Sequence, residues 1–249
     1  MAQKVSEAPA DDLVTLDIHV PLHFDESVIE EGSVSNCVVE KVRMFNSELR
    51  ERCTSEKIDF DNLHIPHVTL YQTQFYANQM DHIIDALDEV VNSTPFSSCE
   101  ISLGSKVVSG DYSMLSIKRQ DKENDCLQSL SDLVLNKFLP FVKFPAEIPA
   151  WVLNIQDEKI RERKIKLVEL YGSPNVLDGF DPHVTVGFDD INPNLQREIM
   201  NDIDSGLGSC NESFGTLAIG HVGIGGSVLK EEIYETAMGY NLSSNTNLE

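Results

Sequence analysis

The run Pro-His-Val-Thr occurs twice, as Pro66-His67-Val68-Thr69 and as Pro182-His183-Val184-Thr185, and an aliphatic residue follows each copy. The context repeats with the motif: a long amphipathic helical pattern and a loop lead into each copy, and another helical pattern follows. No other feature constrains the fold as strongly. It reads as a duplicated βα unit whose two copies face one another across a pseudo-twofold axis. Proline before each histidine marks where a strand opens, since it is tolerated at a strand's first residue but not in its middle.

The remaining patterns fit that frame. Residues 13–20 alternate as a strand does, and 65–71 form a β-branched run. Apolar residues recur at helical spacing over 35–53 (Val38, Val39, Val42, Met44, Phe45 and Leu49), 78–91, 124–138 and 156–171, with Gly172 placed to cap the last. Strands are expected at 99–108 and 112–118 around a Ser109-Gly110-Asp111 turn, and again at 181–188, 214–222 and 231–238. A short helix is expected over 193–203, while 144–149 and Trp151 read as loop. Helices mixed with hairpin strands predict an α+β fold, bilobal, with two pseudo-symmetric βα lobes around a central cleft. Residues 1–12 read as a mobile leader, 13–239 as a single bilobal domain and 240–249 as a flexible tail.

Strand geometry says what each motif offers. Side chains two residues apart share a face, roughly 6–7 Å apart. His67 and Thr69 therefore project together while Val68 and Leu70 pack behind them, and His183 and Thr185 do the same in the other lobe. Two imidazoles and two hydroxyls meeting in one cleft suit phosphodiester chemistry. A neutral imidazole takes a proton from the attacking hydroxyl or water, and a protonated one supplies the leaving oxygen. An ordinary pKa of about 6.5 makes both forms accessible. The threonine hydroxyls can donate to the non-bridging oxygens where charge develops. Protein groups supply every role, so neither metal nor cofactor is called for.

These paired motifs resemble the 2H phosphoesterase superfamily, which includes bacterial LigT-like RNA cyclic phosphodiesterases, plant cyclic phosphodiesterases and animal A-kinase anchoring domains of similar fold. The family motif is His-hydrophobic-Ser/Thr-hydrophobic, usually after Pro, and both copies match it at every position. The resemblance spans about residues 13 to 239. It implies catalytic His67 and His183, substrate-binding Thr69 and Thr185, and chemistry on 2′,3′-cyclic phosphates or 2′,5′-linkages. It also leaves a second reading open, a non-catalytic nucleotide-binding or anchoring module of the same fold.

Composition narrows the partner. A net charge of −22 disfavours a protein that coats duplex or long nucleic acid, because that binding draws on many Lys and Arg. A small nucleotide or short oligonucleotide is the expected substrate, and a monomer the expected state. Tyr71, two residues beyond Thr69, is expected to share the cleft face and stack on a base, whereas Phe188, three beyond Thr185, is not. The other imidazoles, His19, His23, His64, His82 and His221, show no metal-ligand spacing. His64 reads as loop, and the Gly223-Ile224-Gly225-Gly226 run as a hairpin. Five scattered cysteines, Cys37, Cys53, Cys99, Cys126 and Cys210, read as reduced thiols. With no apolar run long enough for a signal or a membrane span, this gives a cytoplasmic or nuclear expectation.

Overall fold

Alternation at the start of the chain becomes β1 (Leu13–Pro21), whose buried Leu16, Ile18 and Val20 face the core. The computed structural model describes residues 12–22, 37–95, 97–121, 125–204, 206–207 and 210–238. His23, the tail and all of the leader except Asp12 lie outside the described residues. After β1 come α1 (Cys37–Arg52), the two-residue β2 (His64–Ile65), β3 (His67–Tyr76), α2 (Met80–Ser93), β4 (Cys99–Ser109), β5 (Tyr112–Ile117) and α3 (Cys126–Phe138). The chain continues through α4 (Ala150–Leu153), α5 (Glu158–Tyr171), β6 (His183–Phe188), α6 (Pro193–Asp202), β7 (Asn211–Phe214), β8 (Thr216–Val222) and β9 (Val228–Ala237). Asp157 caps α5 by accepting the Ile160 N–H at 3.1 Å, and Gly172, at φ 76°, closes its C-terminus as expected.

The strands form two antiparallel sheets, one ordered β2-β9-β8-β1-β3 and the other β6-β5-β4-β7. Each motif strand is an edge strand, β3 beside β1 and β6 beside β5, and these two edges approach each other. Helices α2 and α3 cover the first sheet, and α1 and α6 the second, so α1 serves the lobe that does not hold the motif it precedes. The fold is thus α+β with two lobes, built on one shared hydrophobic core cluster.

Three expectations are corrected here. The strand expected over 214–222 splits at Gly215: β7 ends in the second sheet and β8 begins in the first. A Cβ on Gly215 would lie 2.8 Å from the Ser97 carbonyl, so glycine permits the crossing. His64 sits in β2, not in a loop, buried against β9 with Nδ1 accepting the Asp59 N–H. The cysteines are not all reduced, because Cys37–Cys210 and Cys99–Cys126 are disulfides with Cα separations of 5.5 and 5.6 Å, leaving buried Cys53 as the free thiol. Those pairs are distant in sequence and meet only because the topology brings α1 to β7 and the start of β4 to the start of α3. No helix among the described residues is long and apolar enough to cross a membrane.

Candidate active site

Each motif strand carries a bulge one residue past its threonine. In β3, His19 pairs with Thr69 but Ile18 pairs with Tyr71, leaving Leu70 extra. In β6, Met114 pairs with Thr185 but Ser113 pairs with Gly187, leaving Val186 extra. A bulged residue cannot use the ladder, so its polar groups need another partner. Buried side chains from the helices behind supply it. Ser131 of α3 donates its hydroxyl to the Leu70 carbonyl at 2.9 Å, and Asn46 of α1 donates to the Val186 carbonyl at 2.9 Å. Asn46 also donates to the Ile58 carbonyl and accepts from the Phe60 N–H. Replacing Asn46 by Leu should cost about 2–4 kcal/mol, because several buried groups lose partners at once. Chemical denaturation measures this, and a loss under 1 kcal/mol would contradict the role.

The bulges reverse the two aromatic expectations. Beyond Leu70 the parity of β3 flips, which turns Tyr71 to the face opposite His67 and Thr69. Tyr71 is fully buried, and its hydroxyl donates to the Tyr171 carbonyl at the end of α5, so it anchors a helix. Phe188 pairs with Tyr112 just as Thr185 pairs with Met114, and Tyr112 and Met114 share a face of β5. Phe188 therefore lies on the cleft face, its ring centroid 4.9 Å from that of Tyr112. The glycine run does close the β8–β9 hairpin, as expected. It also meets the cleft face, since a Cβ on Gly225 would lie 2.5 Å from the Phe188 ring. Trp151 falls in the short helix α4, and Arg119 binds Asp125, Gln128 and the Phe180 carbonyl.

Both histidines are oriented by the same device. His67 Nδ1 lies 2.8 Å from the Ile65 carbonyl, and His183 Nδ1 lies 2.7 Å from the Asp181 carbonyl, in each case two residues back. A carbonyl only accepts, so each Nδ1 carries its proton and Nε2 is left for chemistry. The intervening prolines take part too, their carbonyls receiving the Leu22 N–H in lobe one and the Ile117 N–H in lobe two.

Their environments differ. His183 is half-buried, whereas His67 is only 7% exposed. Burial pulls the pKa of His67 down to about 4, the nearby Asp17 carboxylate raises it, and the charges of His19 and His183 lower it. At neutral pH, His67 is therefore neutral with a free lone pair on Nε2. Sequence reading missed what surrounds it. Asp17 and His19 of β1 are both fully buried, and Asp17 Oδ2 accepts the Thr69 hydroxyl at 2.6 Å and lies 3.7 Å from His67 Nε2. The His19 ring packs against His67 at a centroid distance of 5.0 Å. The signal was present, since Asp17-Ile18-His19 puts two polar side chains on one face of an otherwise buried strand.

The lowered pKa ties stability to pH. Between about 4 and the ordinary 6.5, the unfolded chain binds a proton that the folded chain refuses, so stability rises with pH across that window and is lost as pH falls through it. The gap corresponds to about 3 kcal/mol. Urea denaturation of His67→Asn from pH 4 to 7 should show a flatter rise than the parent, and parallel curves would contradict the buried neutral imidazole.

Among the described residues, no three His, Cys, Asp or Glu side chains cluster as a metal would need. No family model and no curated protein matches the sequence. Solved structures do resemble the chain. E. coli LigT complexed with 3′-AMP matches at 10% identity over 92% of this chain and 99% of its own, with a TM-score of 0.48. Kluyveromyces marxianus Usb1 matches at 8% identity over 90% and 98%, with a TM-score of 0.45. The MHV ns2 PDE domain matches at 12% identity over 87% and 97%, with a TM-score of 0.41. Likeness at this level assigns no chemistry, which rests on the residues of the cleft.

Proposed function

We propose that this chain is a phosphodiesterase of the 2H type, a single two-lobed unit. It opens nucleotide or RNA-end 2′,3′-cyclic phosphates, or cleaves 2′,5′-phosphodiester bonds, by general acid/base catalysis from His67 and His183. One observation carries the reading: two edge strands that approach each other present His-x-Thr, each histidine with Nδ1 tied to a backbone carbonyl and Nε2 left for chemistry. A binding module has no need of two imidazoles prepared in the same way.

Neutral His67 takes the proton of the attacking water at Nε2 as the water oxygen bonds to phosphorus. The bond from phosphorus to the leaving ribose oxygen breaks, and His183, protonated at Nε2, supplies that oxygen with a proton. Thr185 offers its hydroxyl to the non-bridging oxygens; at the corresponding position in lobe one the Thr69 hydroxyl donates to Asp17. Tyr71 has no part. The net charge of −22 supports a small nucleotide or short oligonucleotide handled by a monomer. The expectation of a cytoplasmic or nuclear setting loses its cysteine argument to the two disulfides, which persist in oxidising compartments.

Turnover of 2′,3′-cyclic AMP with EDTA present tests the proposal. Thermal stabilisation by nucleotides without any turnover would instead favour a binding or anchoring module.

A further inference from the structure

The two half-sites are alike in backbone and unlike in chemistry, and lobe one holds a buried carboxylate against its motif residues. Lobe two presents His183 with half-exposed surroundings and Thr185 beside it. In lobe one the Thr69 hydroxyl proton is already committed to Asp17 Oδ2 at 2.6 Å, and the same oxygen lies 3.7 Å from His67 Nε2. The other oxygen, Oδ1, is buried without a hydrogen-bond partner, 3.5 Å from His19 Nδ1, while His19 Nε2 is also buried and unpartnered. His19 Nδ1 meets its own strand's Asp17 carbonyl at 3.0 Å, and a Cβ on Gly220 of β8 would come within 3.3 Å of the His19 ring. Among the described residues, the charged and titratable groups acting on His67 are Asp17 and His19 from β1 and His183 from β6.

A phosphodiester carries negative charge on its non-bridging oxygens. Placed against Thr69 they would find no hydroxyl proton on offer and a buried carboxylate behind it, an unfavourable contact where little solvent screens it. The same carboxylate favours a positive charge on the adjacent imidazole, which burial alone opposes. We infer that Asp17 is a positioning residue that commits the first half-site to accepting the nucleophile's proton and leaves the phosphate oxygens to Thr185 in the second. Thr69 then serves as the clamp that holds Asp17, not as a phosphate donor. This inference rests on the two-histidine reading above and assigns the two lobes unlike tasks.

The test uses the full chain and 2′,3′-cyclic AMP as the probe. In Asp17→Asn the amide oxygen still accepts the Thr69 hydroxyl, so the local geometry is kept while the charge is lost. The expected result is a kcat about 10- to 100-fold lower with KM within about twofold, and an acid limb of the kcat/KM profile moved to lower pH, because His67 loses the group that raises its pKa. Thr69→Val, which frees Asp17 from its clamp but keeps its charge, should lower kcat with KM little changed, whereas Thr185→Val should raise KM. Wild-type kcat with an unmoved acid limb in Asp17→Asn would overturn the inference. So would a tenfold fall in KM at unchanged kcat, which would place the phosphate against Asp17.

A second readout needs no turnover. NMR titration of 13C-labelled histidine follows His67 directly, and Asp17→Asn should keep it neutral at the pH where the parent begins to protonate. An unchanged midpoint overturns the inference even if the probe is not a substrate. Full activity in His183→Ala would instead sink the two-histidine reading, so the two failures remain distinct.

Discussion

Replacing His183 by Ala should lower kcat/KM for a cyclic phosphate by about two to four orders of magnitude, with the fold intact. The side chain is half-buried on an edge strand, so its removal opens no core cavity, and the loss is one of chemistry. Without the protonated imidazole the leaving ribose oxygen must depart as an alkoxide or take its proton from water. His67→Ala should cost a similar factor for a different reason, since the nucleophile loses its base. Because the two groups act in one step, the double variant should fall little further than either single one. Multiplicative losses would indicate two independent roles. Circular dichroism and thermal melting of the variants separate lost chemistry from lost structure.

Reduction of the disulfides should produce the largest change in stability. Cys37–Cys210 closes a sequence separation of 173 residues, and Cys99–Cys126 one of 27. On the chain-entropy account these closures are worth about 5 and about 3.5 kcal/mol, because each removes freedom from the unfolded chain. A phosphine reductant should therefore lower Tm markedly, and Cys37→Ser should reproduce much of that loss without reductant. Thiol titration of the unfolded, unreduced protein should find the single free Cys53. Five reactive thiols, or a Tm indifferent to reductant, would contradict the bonds.

Much of this molecule was legible from periodicity. The helical faces at Val38 to Leu49 and at 156–171, the Gly172 cap and the hairpin at Gly110 all follow from local patterns. The motif histidines were legible because duplication in matching context is hard to produce by chance. The bulges were not. Inserting one residue into a strand needs no special side chain at Leu70 or Val186, yet it exchanges the faces of everything beyond, which moved Tyr71 out of the cleft and Phe188 into it. The available hint was indirect: polar Asn46 and Ser131 sit within apolar helical faces, and each satisfies a bulge carbonyl. The cysteine pairing was illegible for a different reason, since it depends on which elements the completed topology brings together. Asp17 and His19 could be read as a pair on one face, but only the sheet register places them beside His67.

The proposed reaction uses protein groups alone to cleave a phosphodiester in this cleft. Incubation of the full chain with 2′,3′-cyclic nucleotides, ADP-ribose cyclic phosphate and 2′,5′-oligoadenylate, in excess EDTA and with products resolved by chromatography, tests it most directly. At least one of these diesters should be opened at a rate that EDTA does not change and that His67→Ala and His183→Ala each lower by about two to four orders of magnitude. Activity that disappears with EDTA and returns with a divalent metal, or that survives either substitution, would contradict it.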